Sequence, residues 1–312
     1  MALLMVLWTI GILALISAVV TTTVRTEVNR SRNLLESAKA EALADAGIYR
    51  AIAELSNVDL AQRPRVDGTS YSWTFQGTQV LLSIQSEAGK IDLNAASDQL
   101  LGGLFISVGV EPEEAKRLID AIRDFSDRNS ARRALGAEDD DYRMAGLANG
   151  AKDSRFQNAS ELQQVMGVTS NLYNIIAPVL TVYSGAKTID SDVAPRMALL
   201  ALPAATAERV NTILAERGES FDRMESIFGE KDESDLLTGE LATDEGLMVD
   251  GDTVDPKSTN RHPYGVFTIT ATVRTAGGGN FERIAVVRLM NNLKKPFIIH
   301  EWRQGWPSSQ AR

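Results

Sequence analysis

The amino-acid sequence predicts an α+β protein: one very long N-terminal helix packed on an antiparallel sheet, with a large all-helical insertion between two groups of strands. Three observations carry this. The chain opens on an uncharged stretch, Met1 to Val24, that runs into a second helix-forming stretch without a proline. Alternating apolar strand patterns occur before residue 93 and again near the C-terminus. Between them, from about Leu93 to Gly229, the pattern turns to helical periodicity with capping signals.

The N-terminal stretch comes first. As a helix, Met1–Val24 spans about 36 Å at about 1.5 Å per residue, enough to cross a hydrocarbon core of about 30 Å. A cleaved secretory signal would carry Lys or Arg ahead of the run and a small-x-small site at its end, and neither is present. A core helix would be striped, whereas this run is apolar all round. A transmembrane segment over 1–24 follows. From Arg25 to Leu55 there is no proline and one glycine, Gly47, and helix formers dominate. Apolar Leu35, Ala38, Ala42, Ala46, Ile48 and Ala53 recur among charges, as in an amphipathic spine over 25–55. One continuous helix Met1–Leu55 would be about 80 Å long. Arg25, Arg30 and Arg32 would lie in the cytoplasm by the positive-inside rule. Charge counting alone leaves the orientation open.

The head is read next. YSWTFQ and QVLLSIQSE form two strands around Gly77-Thr78. GVFTITATVRT and FERIAVVRLM form two more, joined by AGGGN, whose glycines supply positive φ for a tight turn. PFIIHEWRQ is the last strand. Residues 56–92 and 230–312 thus make an α/β head, and 93–229 an inserted helical domain. In the insertion, Asn94 or Ser97 caps a first helix, and EPEEAKRLIDAIRDF starts a second with Pro and three acids. NASELQQVMG and TSNLYNIIAP are short helices, and VLTVYSG is a possible strand. A faint repeat aligns KIDLNAASDQLL with TIDSDVAPRMALL: Ile91, Asp92, Ala96 and Leu101 match Ile189, Asp190, Ala194 and Leu199. Such helix pairs resemble helix-hairpin-helix or SAM-like modules, read here as packing units.

Composition limits the chemistry. A net charge of −9 opposes nucleic-acid binding. There is no cysteine, and His262 and His300 are the two histidines. Two acidic clusters stand out. The first gathers Asp120, Asp124, Asp127, Glu138, Asp139 and Asp141, with Asp120 and Asp124 one helical turn apart. Hard oxygen donors at mixed spacing suit calcium better than a transition metal; the other reading is a solvated loop with helix caps. The second, Asp244, Glu245, Asp250, Asp252 and Asp255, reads as a solvated loop. Paired carboxylates also occur in glycoside hydrolases, but no spacing fixes their separation and no aromatic sugar groove is evident. No catalytic residue is assigned, and an enzyme is not expected.

AKAEALADAGIYRAIAEL after an apolar helix, then GKIDLNAAS, DAIRDFSD, GAEDDDYRMAG and FQNASELQQVMGVTSNLYNIIAPVLTVYSG, occur in that order. Together they resemble the minor pseudopilin K family of type II secretion systems, within the type IV pilin-like superfamily. The likeness is weakest between ESFDRMESIFGE and GDTVDP. It implies a leader cut by a prepilin peptidase at the cytoplasmic face, with Met1 as the processed, N-methylated residue. It implies one inner-membrane pass, a periplasmic C-terminal head and structural calcium. It implies I- and J-type minor pseudopilins as partners, with the H type, the major pseudopilin, the inner-membrane assembly platform, and secretin or cargo as further contacts. The expected role is non-enzymatic: a tip subunit that initiates pseudopilus assembly and supports export of folded proteins across the outer membrane. Residue 5 of pilins in general is a glutamate paired with a neighbour's N-terminal amine; here it is Met5, a departure that K types share. The alternatives are a membrane-tethered periplasmic ligand-binding protein with a pocket in Leu93–Gly229, or a minor pilin of a type IV pilus.

Overall fold

The computed structural model describes residues 2–57, 63–147, 149–228, 265–292 and 294–305. In chain order the elements are α1 (Ala2–Leu55), β1 (Asp67–Phe75), β2 (Thr78–Ser86), β3 (Ile91–Asp92), α2 (Asp98–Ser107), α3 (Pro112–Ser126), α4 (Asp139–Met144), α5 (Ser170–Ile176), β4 (Leu180–Thr181), α6 (Arg196–Leu200), α7 (Ala207–Phe228), β5 (Gly265–Arg274), β6 (Asn280–Leu289) and β7 (Phe297–Gln304). One five-stranded antiparallel sheet runs β1-β2-β5-β6-β7. The strands on either side of the helical block are therefore direct neighbours, β2 on β5, with Val80 opposite Val273 and Ile84 opposite Ile269. This is the α+β class that the sequence predicts.

The C-terminal half of α1 lies across one face of the sheet. Its packing stripe is Ala40, Leu43, Ala44, Ile48, Ala51, Ile52 and Leu55, all buried. Four of these are large aliphatics, each contributing of order 1.5–3 kcal/mol on burial. Of the apolar positions named from sequence, Ile48 alone is buried. Leu35, Ala38, Ala42 and Ala53 face outward and Ala46 is half-buried. The reason is Gly47: its Cα seats on Val80, Leu82 and Ala271, where a Cβ would come within 2.9–3.3 Å of those side chains. That seat turns the flanking 43/44 and 51/52 pairs onto the sheet.

The turn between β1 and β2 is Gln76-Gly77, one residue earlier than the sequence placed it, with φ of 47° and 76°. Two consecutive positive-φ residues match the right-handed twist of a tight hairpin. In the β5–β6 turn only Gly278 needs its φ of +91°. Gly277 and Gly279 are instead contact glycines: a Cβ on Gly279 would stand 2.4 Å from the Glu36 carbonyl oxygen, and one on Gly277 would stand 2.3 Å from Glu36 Cδ. The GGGN segment is thus a saddle for α1 as well as a turn.

The inserted block has its own core, centred on buried Phe105, Phe125 and Tyr142. The stretch 159–164 is a 3₁₀ helix rather than an α-helix, and the short VLTVYSG strand pairs in parallel with β3. Ser97 caps α2, accepting from Leu100 N at 3.2 Å; Asn94 instead clamps the Phe156 backbone with its amide. The internal repeat is physical. Asp92 accepts from Asn94 N at 2.8 Å and Asp190 from Asp192 N at 3.0 Å, the same turn in both copies. The helices that follow, α2 and α6, pack together, and Gly103 lies against the Ala201 carbonyl.

Candidate functional site

Two regions carry functional character: the exposed N-terminal part of α1 and the acidic corner of the insertion. The first follows from composition. The described side chains between Met5 and Val24 are exposed, Met5 at 73%. Three hydroxyls inside the run bond to the helix itself: Thr9 donates to the Val6 carbonyl at 2.8 Å, Thr21 to Ser17 at 2.7 Å and Thr23 to Val19 at 2.9 Å. Such back-bonding hides hydroxyls from an apolar surrounding. The described part of α1 is long and apolar enough to cross a bilayer. This is compatible with a single-pass anchor. Met1 lies outside the described residues.

Below the apolar run, α1 is fastened to the sheet from both flanks. On β6, Arg283 donates to Asp45 at 2.6 Å and Glu41 at 2.7 Å, its guanidinium lying over the rings of Phe281 and Trp302. Burial works against that cation, and the two carboxylates more than offset it, so its pKa rises above the usual value. On β1, Tyr71 donates to Glu54 at 2.8 Å and Arg50 lies over Trp73. Burial first, and then the Glu54 charge, raise the Tyr71 hydroxyl.

The structure sorts the six acids of the first cluster into two kinds. Four organise backbone: Asp120 accepts from Leu135 N at 3.1 Å, Asp127 from Asn129 N at 3.0 Å, and Asp141 from Glu138 N at 3.0 Å with Arg132 on its other oxygen. Asp139 accepts from Ala151 N at 2.9 Å, and Gly150 packs on the same oxygen. The remaining two, Asp124 and Glu138, are buried at 0% and 8% exposure. Asp124 Oδ2 takes Arg133 N at 3.0 Å, but Asp124 Oδ1 and Glu138 Oε1 are buried without a hydrogen-bond partner. Arg133 Nε stands 3.7 Å from Asp124 Oδ1, an ion pair without a hydrogen bond. Burial, followed by the charges of Asp124, Asp127, Asp153 and Asp139, pushes Glu138 up to about 7. Burial also raises Asp124.

Asp153 is the residue the sequence reading missed. It joins the group from a loop, in the left-handed region at φ 54°, with its N–H on the Phe125 carbonyl. A non-glycine residue held at positive φ is uncommon, but that signal is visible only in the fold. Among the described residues, no three His, Cys, Asp or Glu side chains close into a tight metal cage. The two orphaned oxygens and the crowded negative charge are nonetheless what calcium neutralises. It completes its shell with backbone carbonyls and water, so it does not need three side chains. Carboxylate oxygens are hard donors, of the kind calcium takes and softer ions do not. The second cluster, Asp244, Glu245, Asp250, Asp252 and Asp255, lies outside the described residues.

Two clefts open among the described residues of the insertion and head. One, of about 700 Å³, lies between α2, α3 and the turn after α6; its walls are apolar. Its rim charges are already used, Asp98 by Arg123 and Lys116 by Glu113. The other lies between sheet and insertion and has its own polar groups paired. Neither shows the convergence of free polar groups that marks a small-molecule site.

Comparison with known proteins gives one direction. Residues 81–185 match the family model described as type II secretion system (T2SS), protein K. That stretch holds the second half of β2, the acidic corner and most of the inserted block. Over 84 residues the chain is 36% identical to type II secretion system protein K of Dickeya chrysanthemi, covering 27% of this chain and 23% of that one. Over 200 residues it is 24% identical to the putative type II secretion system protein K of Escherichia coli K12, covering 58% and 61%. It spans less than two thirds of the length of these relatives. A solved structure, the GspK-GspI-GspJ complex from the type 2 secretion system of enterotoxigenic Escherichia coli, contains a chain of the same fold. The TM-score is 0.54 at 15% identity, over 89% of this chain and 99% of that one.

Proposed function

We propose that this chain is a type II secretion minor pseudopilin of the K family that caps the tip of a pseudopilus and starts its assembly. The observation that carries the reading is Met5, an apolar, exposed side chain on a bare helix where a repeating pilin subunit needs a carboxylate. A lone carboxylate in lipid costs at least several kcal/mol unless paired, so pilins that carry one use it to meet the N-terminal amine of a neighbour. A subunit with Met5 offers no such acceptor. With the proposed processing at Met1, it gives its own amine to another subunit but receives none. One-sided contact suits an end position. The inserted block, seated on the sheet face away from α1, adds bulk that a repeating helical stack would have to accommodate in every copy.

In this reading α1 is the single inner-membrane pass, and its outward stripe of Ala38, Ala42 and Ala53 packs on partner helices. The head lies in the periplasm. Partners of the I and J types are supported by the fold shared with a chain of the GspK-GspI-GspJ complex. Prepilin peptidase, N-methylation at Met1, the H type, the major pseudopilin, the assembly platform, and contact with secretin or cargo belong to the same proposal, as does a role by assembly and not by catalysis. Calcium at Asp124, Glu138 and their neighbours Asp127 and Asp139 would supply positive charge to a corner that otherwise stores repulsion. Asp120 and Asp141 would hold the loops around it. The test is co-purification from membranes: stoichiometric recovery with I- and J-type pseudopilins supports the proposal, and a monomer free of pilin-like partners refutes it.

A further inference from the structure

The insertion and the head have separate apolar cores, and much of what joins them is polar. One core surrounds Phe105 and Tyr142; the other lies between α1 and the inner sheet face, with Val193 of the insertion reaching into it. At the exit from β2, Lys90 Nζ donates to Glu87 Oε1 at 2.6 Å and to Thr268 Oγ1 at 3.1 Å, and Thr268 donates to the same Glu87 oxygen at 2.6 Å. Glu87 and Lys90 are 2% and 9% exposed. Two strands away, on edge strand β7, Glu301 Oε1 accepts from the Tyr183 hydroxyl at 2.7 Å and from Asn158 Nδ2 at 3.1 Å. The Tyr183 ring also stacks on His300, centroids 5.2 Å apart. Adjacent strands lie about 4.8 Å apart, so the two polar clusters stand on strands about 10 Å from one another. Between them is a cleft of about 810 Å³, floored by Thr270, Ile284 and Val286 and roofed by Pro178 and Val182.

We propose that the helical insertion is a hinged body, pivoting beside the head's buried Glu87–Lys90–Thr268 cluster, where Gln85 Nε2 donates to the Val193 carbonyl at 2.8 Å and Asp190 N to the Ala88 carbonyl at 2.9 Å, and held shut by Glu301 as a releasable latch. The two sides differ in kind. On the pivot side, the cluster pairs opposite charges out of water, next to the covalent crossing from β2, and breaking it strands a buried charge. The latch joins one partly exposed carboxylate to two neutral donors from separate loops, and water can replace both. An edge strand has no further neighbour to stiffen it. Opening the latch widens the cleft while both cores stay intact, because the buried apolar side chain that the insertion lends to the head's core, Val193, lies beside Gly89 on the pivot side. The hinge lets the insertion reorient at a filament end while α1 stays bundled.

The sequence has no cysteine, so introduced thiols are unique. Met144→Cys in α4 and Asn291→Cys after β6, both exposed, carry spin labels in the full chain in detergent. The parent pair is expected to give one narrow distance. Adding Glu301→Ala is expected to give a second, longer population; adding Glu301→Gln, which keeps an acceptor, restores the narrow one. Tyr183→Phe, a milder change that removes one donor, gives an intermediate result. Amide exchange in 156–160 and 180–184 rises about tenfold in Glu301→Ala, with α3, β5 and β6 unchanged. An unchanged distance in Glu301→Ala, or exchange rising equally through both cores, overturns the proposal.

Discussion

Arg283 and Asp45 lie 238 residues apart in sequence and 2.6 Å apart in space, with the guanidinium roofed by Phe281 and Trp302. This contact fixes the rotation of α1 on the sheet, and so which face of the helix is left for partners. Both carboxylates it holds are partly exposed, so their charge attraction is screened and much of the energy is the packing of the guanidinium stem and face.

Arg283→Ala is accordingly expected to destabilise the head by about 1–3 kcal/mol. Arg283→Lys keeps the charge but loses the fork and the stack, and recovers less than half of that. Thermal unfolding of the full chain in detergent measures both; a lysine variant as stable as the parent would show that charge alone matters.

The glycines rank by what they touch. Gly279→Ala drives a methyl at the Glu36 backbone oxygen, which cannot turn aside, and is expected to cost about 1–3 kcal/mol. Gly47→Ala meets the ends of Val80 and Leu82 side chains and gains up to about 1 kcal/mol of helix propensity, so its net effect is small. Unfolding midpoints in the reverse order would contradict the saddle account of the glycine turn.

The acidic corner sets a pH dependence and, with the proposed calcium bound, a calcium dependence. Glu138 is raised in the folded protein to about 7 from an ordinary value of 4.5. Between those values the folded state binds more protons than the unfolded one, so stability without calcium falls as pH rises from about 4.5 to about 7 and then levels off. Calcium requires the ionised form, so it is expected to raise the melting temperature more at pH 8 than at pH 5. Glu138→Gln flattens the calcium-free slope and removes most of the calcium effect. A melting temperature indifferent to millimolar calcium at pH 8 rejects a bound ion.

Much of this was legible in the sequence because it is local. The long helix, the hairpins at 71–87 and 265–290, and the acid-led start at Pro112 follow from periodicity, turn residues and caps. What escaped depends on distant partners. The β3–β4 pair joins two-residue strands ninety residues apart. Gly277 and Gly279 look like turn residues until Glu36 is placed on them. Asp153 shares no motif with Glu138 and meets it only through the fold. The stripe of α1 that packs was misplaced because alanine is apolar enough for either face, and only Gly47 against β2 and β5 decides between them.

The most direct test of an end position is to count and place this subunit in assembled filaments. Gold or density labelling of the insertion on isolated pseudopili is expected to show one copy at a single end, and Met5→Glu is expected to admit copies into the shaft. Regular labelling along the shaft by the unmodified chain would contradict the account.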